Sequence, residues 1–358
     1  MHKDVMANEQ AAHRPSLLFF APDRADAALA EAAYMLYLDE LLDAQQFDIT
    51  IIAPNGSRLA DRARAEGLTL HPLSDFARKL LMRTPQLWPI LTAMRRWRYD
   101  IALTHEGYAC RGLGVIARKV VGICHDDQVE RFSAANQIIV LNSGIADLAK
   151  DLIEDGPPIE VLPYPYECRF DSVKTLPDEQ TPLRIGTSAP FLEGDGLGVF
   201  IHMAQLLKQS HPEIHFVVAG NGPTEHDMKE LADHIAPFIE FVGVASSYEL
   251  ANSIDLFCLT SRDTAYSLDL CSMMDAGLAC VATCTNGAMD ILKGGMVAPL
   301  VPIDDAFMLA VQLQELLDDR AHIYRIKKAC YERIREEDFS RAHFSYRLQN
   351  LLLSRSGR

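Results

Sequence analysis

The 358-residue chain contains no uninterrupted apolar run of about eighteen residues, which excludes a helix that crosses a membrane. Positive charge is scarce. Lys and Arg number 34 against 49 Asp and Glu, a formal charge of −15, and this removes the density of cations on which nucleic-acid binding depends. Eight cysteines are spread through the chain without paired CxxC units or a Cys/His cluster, so neither a zinc fold nor a disulfide scaffold is indicated. Most lie in apolar runs and read as buried free thiols of a reducing compartment. The opening segment MHKDVMANEQAAHRPSLLFFAP lacks a small-residue cleavage site after its short apolar run. Residues 1–14 are therefore expected to be a disordered lead-in, and the protein is expected in the cytoplasm.

What is present is an alternation of apolar strand-like runs with amphipathic helical runs, the pattern of βα units around parallel sheets. In the first half, strands are predicted near Leu17–Ala21, Phe47–Ala53, Asp100–Thr104, Val120–His125, Ile138–Leu141 and Ile159–Leu162. In the second they fall near Leu183–Gly186, Ile214–Gly220, Ile239–Gly243, Asp255–Leu259, Ala279–Thr283 and Met296–Val301. The fold class is α/β with two Rossmann-like domains, 15–168 and 183–340. The Pro- and charge-rich segment 169–182 reads as the linker. A final helical stretch, 341–358, carries Phe344, Leu348 and Leu351 with helical spacing and is expected to return to the first domain.

One segment departs from the acidic balance. Residues 75–100 hold six basic and two acidic side chains and both tryptophans, Trp88 and Trp97. They read either as ordinary surface helices, interrupted at Pro85 and Pro89, or as a peripheral membrane contact at the inner face of the membrane.

Four stretches of the second half occur in the order and spacing of a known family. They are RIGTSAPFLEGDGLGVFIHMAQLLKQSHPEIHFVVAGNGP, IEFVGVASSYELANSIDLFCL, DLFCLTSRDTAYSLDLCSMMDAGLACVATCTNG and MVAPLVPIDDAFMLAVQLQELLDD. Together they resemble the nucleotide-sugar domain of family 4 glycosyltransferases (glycosyl transferases group 1), which have the GT-B architecture with a C-terminal crossing helix. In the first half, RYDIALTHEGY, VVGICHDD and NQIIVLNSGIADLAKDL are compatible with that family, although APDRADAALAEAA stands where a glycine-rich turn often follows the first strand. The resemblance implies transfer of a sugar from a nucleotide-sugar donor to a glycan or lipid-linked acceptor, as in polysaccharide biosynthesis, with no cofactor and no metal. The donor is implied to lie against Gly186, Thr187, Gly220, Asn221, Gly222, Val242, Gly243, Arg262, Thr264, Ser267, Leu268 and Ser272, with His125 as the catalytic candidate.

Several family contacts are replaced. The two Glu positions of the donor motif fall on Thr264 and Ser272, and the Arg and Lys that hold the diphosphate fall on Thr187 and Asp195. Charge-assisted hydrogen bonds contribute about 1.5–3 kcal/mol each, so loss of both cations weakens donor binding by roughly two to four decades. What remains is the positive end of a helix starting near Thr264, the hydroxyls of Thr264, Ser267 and Ser272, and nearby charges: Arg262, Asp263, Asp269 and Asp275. The bland reading of those charges is a solvated loop or helix face. Gly220 and Gly222 flank a tight turn that lets backbone approach a ligand.

Other candidates carry two readings each. His125 and His105 each close a strand, and each is either a site residue or a hydrogen-bonded cap. Asp126 and Asp127 are either general bases or helix caps. Two functional classes stay open at this level. One is an active glycosyltransferase; the other is a catalytically inactive GT-B protein acting as a partner subunit or glycan-binding module. An epimerase or phosphorylase of the same architecture is a third.

Overall fold

A computed structural model describes residues 14–22, 28–74, 98–262 and 266–354, with backbone alone for 28–31. Residues 1–13, most of segment 75–100, and Thr264 lie outside the described residues. The chain divides into two units. One comprises the chain up to Val140, Ile145–Leu162 and the chain from Ser345 on; the other comprises Leu141–Gly144 and Pro163–Phe344.

The first unit is built on a seven-stranded parallel sheet. Its strands are β1 (Ser16–Phe20), β2 (Asp48–Pro54), β3 (Thr69–Leu73), β4 (Tyr99–Thr104), β5 (Ala117–Cys124), β6 (Gln137–Val140) and β7 (Ile159–Val161), in the order β3-β2-β1-β4-β5-β6-β7. Continuous apolar composition is what a strand covered on both faces requires. In β1, Leu17, Leu18, Phe19 and Phe20 are all buried, each stabilising the fold by about 1.5–3 kcal/mol. β3 is absent from the sequence prediction because TLHPL is an edge strand with an internal proline and no fully buried residue.

The second unit holds a six-stranded parallel sheet of β8 (Arg184–Ala189), β9 (His215–Gly220), β10 (Ile239–Gly243), β11 (Leu256–Leu259), β12 (Ala279–Thr283) and β13 (Leu300–Val301), in the order β10-β9-β8-β11-β12-β13. β13 is shorter than predicted. Met296, which was placed at its start, is 81% exposed. Strand order reverses between β1 and β4 in one sheet and between β8 and β11 in the other, and ligands of such sheets gather beyond the carboxyl ends of these strands. Among the described residues no helix is long and apolar enough to cross a membrane.

The segment predicted as linker and the residues just before it are fastened to the second unit. Tyr166 N donates to Phe339 O at 2.8 Å, Arg169 N to Asp275 Oδ2 at 2.6 Å, and Arg320 Nη1 to Pro177 O at 2.7 Å. Lys174 places its ammonium on the carbonyls of Ala251, Asn252 and Ile254, at the negative end of the helix Ser247–Ser253.

The last helix is Arg341–Leu353. Its buried residues are Phe344, Leu348 and Leu352; the predicted Leu351 is only half-buried, so the apolar stripe follows a regular four-residue step. From Ser345 on it belongs to the first unit, where Ser345 Oγ meets Glu40, Arg347 meets Glu160, and the buried Lys119 ammonium takes the carbonyls of Leu351 and Ser354 and the Ser354 hydroxyl. Burial lowers the Lys119 pKa to about 8.

Gly277 follows the helix Leu268–Asp275 at φ +67°, and a Cβ there would stand 2.6 Å from Val173 Cα in the fastened segment. Gly56 has a similar φ of +77° but open space around it. Left-handed backbone costs an L-residue about 1–2 kcal/mol, and the added contact roughly doubles that at Gly277. Gly277→Ala is therefore expected to lower the thermal midpoint at least twice as far as Gly56→Ala, as read by differential scanning fluorimetry.

Candidate functional site

The carboxyl end of β8 opens into a loop that the sequence assigns to donor phosphate. Gly186 packs under Ile254, whose Cγ2 lies 2.6 Å from where a glycine Cβ would be, and Thr187 is 1% exposed with a hydroxyl that has no partner. Thr187 thus faces the interior. Ser188 Oγ donates to Asp269 Oδ2 at 2.7 Å. Beyond the strand, Asp195 accepts from Leu192 N at 3.1 Å and from Leu197 N at 2.9 Å. Its carboxylate closes the loop and sits at the positive end of the helix Leu197–Ser210. The sequence aligns Asp195 with a diphosphate-binding Lys of the family; in the structure its charge is used by the chain's own amides.

Gly220 and Gly222 end β9 at φ +130° and +158°. A Cβ at either would lie 1.9 Å from Ala189 O and 2.1 Å from Pro190 O, so the close approach that requires glycine is made by the neighbouring loop of the same chain. Asn221 between them is exposed, as are Val242 and Leu268, while Gly243 is half-buried at φ +71°.

The helix Leu268–Asp275 engages the remaining hydroxyls. Ser267 Oγ accepts from Leu270 N at 3.1 Å as its N-cap, and Ser272 Oγ donates to Leu268 O at 2.9 Å. Asp275, taken from sequence as a solvated charge or a substitute for the missing Glu, is neither. It is fully buried and binds Arg335 Nη2 at 2.6 Å, Arg169 N at 2.6 Å and Tyr166 OH at 3.3 Å.

Arg262 Nε pairs with Asp304 Oδ1 at 2.5 Å, both side chains being about half exposed. It borders a groove of about 950 Å³ whose lining includes Gly194, Asp195, His202, Thr224, Asp227 and Phe307. Among the described residues of the predicted donor set, only Arg262 lines this groove. An exposed pair of this kind contributes at most about 1 kcal/mol, so the guanidinium can be redirected at little cost.

In the first unit the ends of β4 and β5 carry His105 and His125. His105 Nδ1 lies 2.5 Å from His125 Nε2, with ring centroids 4.7 Å apart and planes 13° apart. The rings of Phe19, Tyr34 and Tyr37 stand 5.9, 4.5 and 5.2 Å from His105, and Tyr34 OH donates to Glu106 Oε1 at 3.3 Å. Burial holds His105 well below the usual histidine pKa and lowers His125 to about 4, with the Asp126 charge acting in the opposite direction on His125. Asp126 Oδ1 accepts from Gln128 N at 3.0 Å, which closes a local turn just before the short helix Val129–Phe132. The Tyr34–Tyr37 pair escaped sequence reading, although its three-residue spacing on one helix face was the available signal.

Residues 182–319 match the family model for glycosyl transferases group 1. Over 289 residues the chain is 26% identical to the amylovoran biosynthesis glycosyltransferase AmsK of Erwinia amylovora, covering 72% of this chain and 70% of that protein. The putative colanic acid biosynthesis glycosyltransferase WcaL of Escherichia coli is also 26% identical, over 288 residues, 72% of this chain and 71% of that one. Among solved structures, Anabaena Alr3699/HepE in complex with UDP and glucose superposes with a TM-score of 0.71 at 14% identity, covering 95% of this chain and all of that one. Residues 182–319 form a glycosyl transferases group 1 domain, and the chain as a whole resembles GT-B glycosyltransferases in sequence and in fold. The comparisons give no support to the alternative of a catalytically inactive partner subunit.

Two expectations follow for this glycosyltransferase. Asp195→Lys removes a carboxylate that accepts from two backbone amides, at about 0.5–1.5 kcal/mol each, so it should lower the melting temperature and, measured by calorimetry, leave donor affinity no higher than in the unmodified protein. The buried histidines set a pH dependence. Their folded pKa values are depressed below 6.5, so between about 4 and 6.5 the unfolded chain binds protons that the folded chain does not. Stability is then complete above the unfolded value and falls as pH drops toward 4, by at most about 1.4 kcal/mol per pH unit for each ring. Thermal midpoints measured from pH 7 to pH 5 should fall, and His125→Gln should flatten the slope.

Proposed function

We propose that this glycosyltransferase moves a sugar from a nucleotide-sugar donor to a glycan or lipid-linked acceptor during assembly of a cell-surface polysaccharide. The observation that carries the reading is the pair of sheet switch points, one ending in the His105–His125 pair and the other in the glycine turns and capped helix start of the group 1 domain. The names of two relatives, an amylovoran biosynthesis glycosyltransferase and a putative colanic acid biosynthesis glycosyltransferase, support the acceptor class. Neighbours of the same fold that bind UDP and UDP-glucose support the donor class.

In this reading the second unit binds the donor, and His125 at the end of β5 is the catalytic residue. Thr187 is interior and Asp195 is engaged with backbone amides, so Arg262 is the cation assigned to the diphosphate, released from Asp304 on binding. Base and ribose are held by backbone near Val242 and Gly243 and by hydroxyls, without a metal. The enzyme works in the cytoplasm at the inner face of the membrane, with the basic, tryptophan-bearing segment 75–100 as its peripheral contact.

A thermal-shift screen against UDP-, GDP-, ADP- and CMP-sugars, followed by calorimetry, tests the reading. One donor class should stabilise the protein with a dissociation constant toward the millimolar range, as one diphosphate cation in place of two dictates. Arg262→Ala should weaken that binding about tenfold or more. Micromolar binding that is indifferent to Arg262→Ala would overturn the assignment. Transfer of labelled sugar to membrane lipid extracts then identifies the acceptor.

A further inference from the structure

The two histidines of the first unit do more than share a strand edge. A centroid separation of 4.7 Å with a nitrogen–nitrogen distance of 2.5 Å leaves little more than one ring radius on either side. The rings therefore meet edge to edge in nearly one plane, and an N–H on one nitrogen points along the line to the other. This is a directed hydrogen bond between two neutral imidazoles, in which one ring donates and the other accepts.

Which ring donates is set by the far side of His105. Its Nε2 is buried and has no hydrogen-bond partner. If His125 were the donor, His105 would have to carry its proton on that Nε2, as a buried N–H without an acceptor. If His105 donates from Nδ1, its Nε2 is a bare lone pair, and orphaned buried donors are the rarer of the two in folded proteins. The rings of Phe19, Tyr34 and Tyr37 hold the His105 imidazole in place, so its Nδ1 stays aimed at His125.

We infer that His105 is a positioning residue: its Nδ1–H donates to His125 Nε2 and fixes His125 in the tautomer that carries its proton on Nδ1. The consequence rests on the proposed function, in which His125 is the catalytic residue. With its Nε2 occupied as an acceptor, His125 carries its ring proton on Nδ1, and a donor of that kind selects an oxygen lone pair, such as that of a sugar hydroxyl or phosphate. The catalytic contact belongs to His125, and its chemical sense is imposed from the strand next to it.

The test reads the tautomer directly. In full-length protein labelled with ¹⁵N-histidine, long-range ¹H–¹⁵N spectra at pH 7.5 distinguish a protonated from a bare ring nitrogen, with single variants assigning the two rings. His125 is expected with a protonated Nδ1 and a bare Nε2. His105→Phe keeps an aromatic ring in the cage but removes the donor, and should shift His125 toward the other tautomer. His105→Asn, whose side-chain amide replaces the Nδ1 donor, should restore it. Once a donor and acceptor are known, kcat should fall about tenfold in His105→Phe, the worth of one hydrogen bond, with KM little changed and with partial recovery in His105→Asn. A protonated Nε2 on His125 in the unmodified protein overturns the inference, as does a His125 tautomer that ignores His105→Phe. If His105→Phe does not fold, the spectrum of the unmodified protein decides alone. The spectra need no turnover, so failure of the transferase reading leaves this result standing and separately visible.

Discussion

The Asp275 carboxylate has no contact with solvent, and groups from two distant segments close on it: the Arg335 guanidinium from one side, and the Tyr166 hydroxyl and Arg169 amide from the other. A charge in that position is tolerable only with its full set of partners, and removing one of them would leave the others desolvated at a cost of several kcal/mol. The arrangement ties the chain entering the second unit to the turn that follows the helix Arg320–Arg333. It also sits at the end of the helix Leu268–Asp275, whose first turn carries Ser267 and Leu268 of the assigned donor set. The Arg335 side chain lies over the Tyr331 ring at 3.3 Å, which braces the cation as well. Placement of this helix thus depends on an ion pair at its far end.

Much of the fold could be read from the chain because buried parallel strands are written as continuous apolar runs, and runs such as LLFF, IIV and LFCL have few other uses. The edge strand β3 was not legible, since a strand with one open side needs no such run. Leu351 and Leu352 are interchangeable by composition, and only packing separates them. The site divides along the same line. That glycine is required at 220 and 222 was visible; that the chain's own carbonyls impose it was not, because the loop meeting them lies about thirty residues away in sequence. Asp195 and Asp275 show how little a carboxylate's letter says about its use. One engages two amides and the other is buried with an arginine, and both had been weighed as charges beside a ligand.

The two histidines illustrate the opposite case. Each was legible as the residue closing an apolar strand, and β4 and β5 are neighbours, yet their contact depends on register, with Thr104 opposite Gly122. A shift of one residue would have turned one ring to the other face of the sheet. The same register places Gly122 against the Phe132 ring, where a Cβ would come within 2.4 Å of Cδ1. The glycine that admits Phe132 and the pairing that aligns the histidines are therefore features of one strand.

Lys119 gives the first unit an unusual dependence on time. Its ammonium lies buried at the start of β5, and the oxygens that receive it belong to Leu351 and Ser354, more than two hundred residues later. During synthesis all seven strands of the first sheet leave the ribosome before those oxygens exist. Until they arrive, the nascent sheet must keep that edge open to water, because a desolvated ammonium without acceptors is not a state the chain can hold. The last turn of the final helix therefore acts as the closing stitch of the unit that was made first, and a ribosome stalled shortly before residue 351 carries a first unit still unsealed.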